Sequence, residues 1–257
     1  GLALQVVGPV KSRPYVDLTV KMLREFGVEV QVEGASFNVS PGQMYLPREY
    51  EVEGDYSSAA FLVAAALVTG SEVEIEGLQR DTSQGDAELI RIVEKMGAHI
   101  ERRTRCLRVL PGDLEGIDVD LSNTPDLLPP LVVIASRAEG TTRIRGVEHA
   151  RLKESDRISV LRSELQKLGV RVAETHDGLE ITGGSRLRVA RTSSHGDHRI
   201  AMALAVLGLC SEGILVQDAE CISVSYPSFV EDLRALGAKI RWVQNPSDTD
   251  LASAPRV

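Results

Sequence analysis

REFGVEV at residues 24–30 is the first of four segments in which an amphipathic stretch ends on an apolar residue and Gly, before a strand-like stretch begins. The other three are EKMGAHI (94–100), QKLGVRV (166–172) and RALGAKI (234–240). Their glycines recur at intervals of 70, 72 and 68 residues. A helix that ends in a left-handed conformation favours Gly, because a Cβ is strained there. Four such ends in register predict a repeated supersecondary unit.

Hydrophobic periodicity predicts the order strand, helix, strand, helix, strand, strand in each complete unit. The second unit contains REYEVEG, SSAAFLVAAALV, SEVEIEG, GDAELIRIVEKMG, HIERR and CLRVLPG, and the fourth runs from RLRVART to KIRWV. The first helix of units two to four is almost entirely apolar, whereas the second is amphipathic. We therefore expect one helix set to be buried and the other to cover the sheets. The predicted fold class is α/β (α+β), built of repeated βαβαββ units with mixed sheets.

The two ends of the chain do not follow the complete unit. The first copy has only LALQVVG, PYVDLTVKMLREFG, VEVQVEG and SFNVSPG. Because the chain starts at Gly1 and runs directly into a strand-like segment, we expect it to begin inside a longer protein. Residues 243–257 lack periodicity and are predicted to be a disordered tail.

Composition narrows the classes of partner. The chain has 257 residues, of which 43% are hydrophobic and 26% charged, and its longest apolar run, 59–68, is too short to cross a bilayer. The net charge of -8 argues against a nucleic-acid partner but not against a small anion bound by a few placed cations. Three cysteines without CxxC spacing favour a reducing compartment, the cytoplasm, over a disulfide framework or a zinc site.

Charged residues cluster where helices are predicted to begin. Lys153 and Arg157 flank the start of one helix in KESDRIS, and Arg199 lies in the first turn of another. A cation at a helix N-terminus opposes the helix dipole, so we interpret these cations as ligands for bound anions, with solvated surface charge as the alternative. Glu154 and Asp126 could move protons in the same cleft, or could serve only as caps or helix-start acids.

Six segments carry a family resemblance: EGDYSSAAFLVAAALV, TSQGDAELIRIVEKMGA, NTPDLLPPLVVIASRAEGTT, RLKESDRI, GDHRIAMALAV and SYPSFVEDLRALGA. In this order they resemble the 5-enolpyruvylshikimate-3-phosphate synthase family over residues 1–242. The resemblance implies two similar domains of three units each, with the active site between them. It makes residues 1–52 the last unit of the first domain and 53–242 the second domain. The N-terminal portion of the enzyme would then be lacking.

The resemblance also implies a reaction in aromatic amino-acid biosynthesis. The enolpyruvyl group of phosphoenolpyruvate moves to the 5-hydroxyl of shikimate 3-phosphate, and phosphate leaves, without a metal or cofactor. Asp126 becomes a candidate base, Lys153 a candidate partner of the attacking hydroxyl, and Glu154 a candidate proton donor to the methylene carbon. The expected substrate-binding residues are Arg157 and Arg199 for phosphoenolpyruvate, and Ser12, Tyr15, His149 and Lys153 for shikimate 3-phosphate.

Three features depart from the family pattern. Val224 stands where the family has a lysine, and His149 where it usually has an asparagine. The N-terminal lysine and arginines that hold both substrates would lie in the lacking portion, so we expect the chain to be inactive, or nearly so, without that half as partner. The alternatives are an enzyme like the UDP-sugar enolpyruvyl transferases and a non-catalytic fragment that binds anions.

Overall fold

The computed structural model describes residues 1–244, so the predicted tail lies almost entirely outside the described residues. Among these residues there are seven α-helices: α1 (Arg13–Glu25), α2 (Tyr56–Thr69), α3 (Glu88–Lys95), α4 (Leu128–Arg137), α5 (Arg157–Lys167), α6 (His198–Gly208) and α7 (Phe229–Ala235). The strands are β1 (Leu2–Gln5), β2 (Val30–Glu33), β3 (Ser36–Val39), β4 (Val73–Glu76), β5 (His99–Arg102), β6 (Cys106–Leu110), β7 (Asp118–Asp120), β8 (Thr141–Arg145), β9 (Arg171–Thr175), β10 (Gly178–Thr182), β11 (Ala190–Ser193) and β12 (Ile214–Gln217). Short 3-10 helices span Gly85–Ala87, Pro125–Leu127, Glu148–Leu152 and Ala219–Val224.

The sheets repeat one strand order. Three antiparallel sets run β1-β3-β2, β4-β6-β5 and β8-β10-β9, each with the last strand of its unit in the middle. β7 joins β8 in parallel, and β11 joins β12 in the same way. The full set of four strands is present in the third unit, and the other units show parts of it. This arrangement confirms the predicted repeat and its mixed sheets.

Two predicted strands are wrong. Within the described residues, REYEVEG (48–54) and KIRWV (239–243) pair with no strand. The alternation of their side chains resembles that of a half-buried strand, but a strand also needs a neighbour to complete its hydrogen bonds. Residues 48–54 form one backbone hydrogen bond to the loop that follows β4, from Gly54 N to the Gly77 carbonyl at 3.0 Å.

The core lies between the three apolar helices, as predicted. α2, α4 and α6 pack against one another, and most of their side chains are buried. The amphipathic α3, α5 and α7 each bury one face over this core. Phe61 of α2 and Phe229 of α7 meet edge to face, with ring centroids 6.4 Å apart. Within residues 1–244, no helix combines the length and apolar content needed to cross a membrane.

The glycines that define the repeat have the predicted backbone conformation. Their φ angles are +86°, +104°, +83° and +94° at Gly27, Gly97, Gly169 and Gly237. At Gly97 an added Cβ would also lie 2.6 Å from the Asp113 carbonyl oxygen, whereas at Gly237 it would meet nothing within 4 Å. The two positions therefore separate backbone strain from steric overlap.

We predict that Gly237→Ala destabilises the protein by about 1–2 kcal/mol, because only the left-handed conformation is strained. Gly97→Ala should cost about 3 kcal/mol or more, because the Asp113 carbonyl must also shift. Urea unfolding of both variants measures the difference. Equal losses of stability would contradict the close approach at Gly97.

Candidate active site

The starts of α5 and α6 converge on the carboxylate of Asp126, which lies in the 3-10 turn before α4. Arg157, the first residue of α5, places Nη1 2.7 Å from Asp126 Oδ1. Arg199 in the first turn of α6 places Nη2 3.4 Å from Oδ2, and Lys153 places Nζ 3.5 Å from Oδ1. The sequence-predicted cations thus meet around one of the sequence-predicted carboxylates.

Asp126 remains ionised in this setting. Burial acts to raise the pKa of its carboxyl, but Arg199, Arg157 and Lys153 outweigh burial and hold the pKa below its ordinary value. An ionised carboxylate can accept a hydrogen bond or a proton from a hydroxyl beside Lys153. The geometry therefore suits a base better than an acid.

Arg157 is almost completely buried, with only 1% of its side chain exposed, whereas an arginine that only bound an anion at the surface would be more exposed. Besides Asp126, its guanidinium donates to Asp197 from Nε at 2.8 Å and to Glu154 from Nη2 at 2.6 Å. Burial lowers the pKa of Arg157, but Asp197, Asp126 and Glu154 more than offset it. Glu154 is 44% exposed and is the partner best able to turn away, so a ligand could reach Arg157 from that side.

A second cluster of polar side chains, Tyr15, Ser57 and Asp86, joins the first unit to the second. The Tyr15 hydroxyl of α1 lies 2.5 Å from Asp86 Oδ1, and the Ser57 hydroxyl of α2 donates to the other oxygen of Asp86. Burial raises the pKa of Asp86, and the Asp126 charge adds to this effect. Gly85 allows the start of α1 to approach Asp86 this closely, because a Cβ at residue 85 would lie 2.8 Å from a Pro14 side-chain atom.

Ser12 immediately precedes α1 and has a left-handed conformation, with φ +54°. Its N–H donates to the Ser122 carbonyl at 3.1 Å, and the adjacent Lys11 forms a 2.9 Å ion pair with Glu148. These contacts hold the start of α1 beside the 3-10 helix that carries His149.

His149 has an unusual environment. Both ring nitrogens are buried, and neither has a hydrogen-bond partner within the described residues. Burial lowers the pKa of the imidazole, and Lys11 and Lys153 lower it further against the opposing effects of Glu148 and Asp126. A buried polar group without a partner is costly, which suggests that a ligand completes its hydrogen bonds.

Three further residues of this site do not stand out in the sequence. Asp197 binds Arg157 and also caps α6 by accepting from the Arg199 N–H at 3.0 Å. His198 places Nδ1 4.0 Å from Glu154, and burial lowers its pKa. Asp86 is the third. The segments GDHR and SQGD do place these residues at helix starts, but an acid before a helix is normally only a cap. Val224 has an exposed side chain and takes no part in the cluster.

Residues 1–233 match the family model described as EPSP synthase (3-phosphoshikimate 1-carboxyvinyltransferase). The chain belongs to the EPSP synthase family. A 3-phosphoshikimate 1-carboxyvinyltransferase from Methanothermobacter thermautotrophicus is 45% identical over 241 residues, which cover 93% of this chain and 57% of that relative. One from Methanopyrus kandleri is 46% identical over 244 residues, covering 94% and 56%. The structure of EPSP synthase from Acinetobacter baumannii superposes with a TM-score of 0.81 at 30% identity, covering 94% of this chain and 58% of that one.

The chain thus spans little more than half the length of these family members. The charged helix starts described above lie within the matched residues, and the last repeat extends a few residues beyond them, to Gly237 and the segment that follows. These similarities identify the family of this chain, but only the geometry described above bears on the roles of single side chains.

We predict that Asp126→Asn destabilises the protein by about 3–5 kcal/mol, because three cations, among them the buried Arg157, would lose a shared counter-charge. The matched control is Asp118→Asn, which removes a carboxylate from an exposed pair with Arg143 and should change stability little. Thermal or urea unfolding of both variants measures this difference. Similar stabilities for the two variants would show that Asp126 is not the electrostatic centre of the cluster.

The same carboxylate should make stability depend on pH. Because its pKa is lower in the folded state, Asp126 stabilises the fold above the ordinary carboxyl pKa of 3.8, and this contribution is lost as the pH falls toward the folded-state value. The difference in unfolding free energy between the original chain and Asp126→Asn should therefore shrink below about pH 4. A constant difference between pH 7 and pH 3 would contradict the lowered pKa.

Proposed function

We propose that this chain is the C-terminal part of a 3-phosphoshikimate 1-carboxyvinyltransferase. The enzyme would transfer the enolpyruvyl group of phosphoenolpyruvate to the 5-hydroxyl of shikimate 3-phosphate in the shikimate pathway of aromatic amino-acid biosynthesis. The observation that carries the proposal is the convergence of Lys153, Arg157 and Arg199 on Asp126, whose side chain is 14% exposed. Cations at helix starts suit two anionic substrates, and a carboxylate among them suits proton transfer.

The domain assignment forms part of the proposal. Residues 1–52 would be the last unit of the first domain, and 53–242 the three units of the second. In support, the first unit has its own sheet, and in the described part of the chain no strand or helix lies between Val39 and Tyr56. Tyr15 and Lys11 reach from the first unit to the second and third, as residues beside a cleft between domains would do.

The addition step needs a base and an acid. Asp126 would accept the proton of the 5-hydroxyl while Lys153 stabilises the developing charge on that oxygen, which bonds to C2 of phosphoenolpyruvate. Glu154 would give a proton to the methylene carbon C3, converting it to a methyl group. The product is a tetrahedral intermediate that still carries the phosphate.

Elimination reverses the proton transfer at carbon. A proton returns from the methyl group to Glu154, the C2–O bond to phosphate breaks, and the double bond of the enolpyruvyl ether forms. Arg199 and Arg157 would hold the phosphate and carboxylate of phosphoenolpyruvate. Glu154 lies beside both Arg157 and His198, so its movement could expose the guanidinium and deliver the proton together.

The other substrate would be held by Ser12, Tyr15, His149 and Lys153. The neutral imidazole of His149 offers one donor and one acceptor, which match a hydroxyl of shikimate 3-phosphate. The Tyr15 hydroxyl, beside Asp86, borders the same region from the first unit.

The missing N-terminal half would be the main partner. Much of the first unit is exposed, including the apolar side chains of Leu2, Leu4, Leu46 and Val52. Covering such exposed apolar side chains with a partner is favourable, because it removes them from water. We therefore propose that the chain alone has little or no activity. We also propose that the complete enzyme is cytoplasmic, in keeping with the three unpaired cysteines.

We predict that the chain alone forms no measurable product from the two substrates, because half of the cleft is absent. Mixing or co-expressing it with the N-terminal portion of the Methanothermobacter thermautotrophicus relative should restore phosphate release. Glu154→Gln in the restored enzyme should lower turnover by about 100-fold or more, because it removes the proton donor.

The control for this experiment is UDP-N-acetylglucosamine in place of shikimate 3-phosphate, which should yield no product. Turnover by the isolated chain comparable to that of an intact relative would contradict the need for the N-terminal half. Preference for the UDP-sugar would contradict the substrate, and binding without turnover in the restored complex would favour a non-catalytic fragment.

His149 gives a separate prediction for shikimate 3-phosphate binding in the restored enzyme. His149→Asn retains a donor and an acceptor, so the Kd should change by no more than about threefold. His149→Leu removes both and should weaken binding by about tenfold. Calorimetric titration measures the two constants. Equal affinities for the Asn and Leu variants would mean that the imidazole does not contact the substrate.

A further inference from the structure

Glu164 is a fully buried carboxylate on α5, outside the cluster around Asp126. It accepts from Lys167 Nζ at 2.7 and 2.8 Å, from His195 Nε2 at 2.9 Å and from the Ser193 backbone N–H at 3.2 Å. Burial acts to raise its pKa, but Lys167, His195 and the Ser193 N–H outweigh burial and lower it. A buried charge with this many donors has a stabilised, fixed position.

Two of these donors belong to one turn, residues 193–197, which begins at the last residue of β11 and ends just before α6. His195 in this turn has φ +52°, a conformation that residues other than Gly seldom adopt. Hydrogen bonds within the turn run from Gly196 N to Ser194 Oγ and from Asp197 N to the Ser194 carbonyl, both at 3.0 Å. A strained residue persists when surrounding contacts hold it, and Glu164 supplies such a contact from outside the turn.

The same turn ends at Asp197, which accepts from Arg157. Arg157 and Glu164 are seven residues apart on α5, which is about two helical turns, so their side chains lie on one face. α5 therefore holds the turn at both ends, with Glu164 on Ser193 and His195, and Arg157 on Asp197. The residues that follow, His198 and Arg199, begin α6.

We propose that Glu164 is a positioning residue, which fixes the 193–197 turn through His195 and Ser193 and thereby sets where Asp197 meets Arg157. It touches no reacting group itself. The proposal rests on the proposed function only in treating the Arg157 cluster as the substrate site, and its test uses no substrate.

The test is hydrogen exchange by NMR on the 257-residue chain. The probe is the Arg157 Nε–H, assigned by its loss in Arg157→Lys, together with the amides of residues 193–199. Glu164→Gln keeps the size of the side chain but turns one acceptor into a donor. It should speed exchange of the probe and of these amides by about tenfold or more, while amides of the buried α4 keep their rates.

The matched control is Glu174→Gln. Glu174 also pairs with two cations, Arg151 and Arg162, but neither belongs to the turn, so exchange at the probe should not change. His195→Asn is the milder second variant, because its side chain is partly exposed and Asn tolerates a positive φ. His195→Asn should speed hydrogen exchange only at the Arg157 Nε–H and at the amides of residues 193–199.

Unchanged exchange at the Arg157 probe in Glu164→Gln would overturn the proposal. A uniform rise that includes α4 would also overturn it, because that pattern means general destabilisation. If Glu164→Gln does not fold, His195→Asn decides: faster exchange limited to the probe and the turn supports the positioning role, and unchanged or uniformly faster exchange rejects it.

Discussion

The buried guanidinium of Arg157 is the interaction on which the arrangement of the site depends. An arginine keeps its charge at any ordinary pH, so the interior must supply counter-charge and hydrogen-bond acceptors around it. Asp126, Glu154 and Asp197 do so from the segments that precede α4, α5 and α6. Displacing one of these helix starts would leave a buried charge without its partner. The ionic cluster therefore favours one relative placement of three helices.

The repeat explains how these helix starts come to lie together. Equivalent helices of successive units, α2, α4 and α6, pack against one another in the core. Polar residues at the start of each helix then gather on one side, where free N–H groups and helix dipoles also point. One unit used several times thus turns a local feature, a charged helix start, into a collective site that no single unit could form.

The sequence was most informative where local physics decides the outcome. The glycines at helix ends and the apolar helices were correctly assigned, because left-handed caps and all-round burial leave clear patterns. REYEVEG and KIRWV were misassigned as strands because alternation describes side chains and carries no information about a pairing partner. Arg157 and Arg199 stood out by opposing the helix dipole, whereas Asp86 and Asp197 did not, because an acid before a helix is expected as a cap. The unpartnered nitrogens of His149 depend on neighbours distant in sequence and could not be foreseen.

Charge balance constrains how the site can receive a ligand. Lys153, Arg157 and Arg199 are already matched by the carboxylates of Asp126, Glu154 and Asp197. An anion that simply added to this cluster would leave excess negative charge beside the buried Arg157, which is unfavourable. Entry of an anion therefore requires a carboxylate to move or to take up a proton. Asp197 is fixed by its cap and Asp126 by three cations, whereas Glu154 is the most exposed of the three. The residue that we propose as the proton donor is thus also the one whose movement would uncover the arginine.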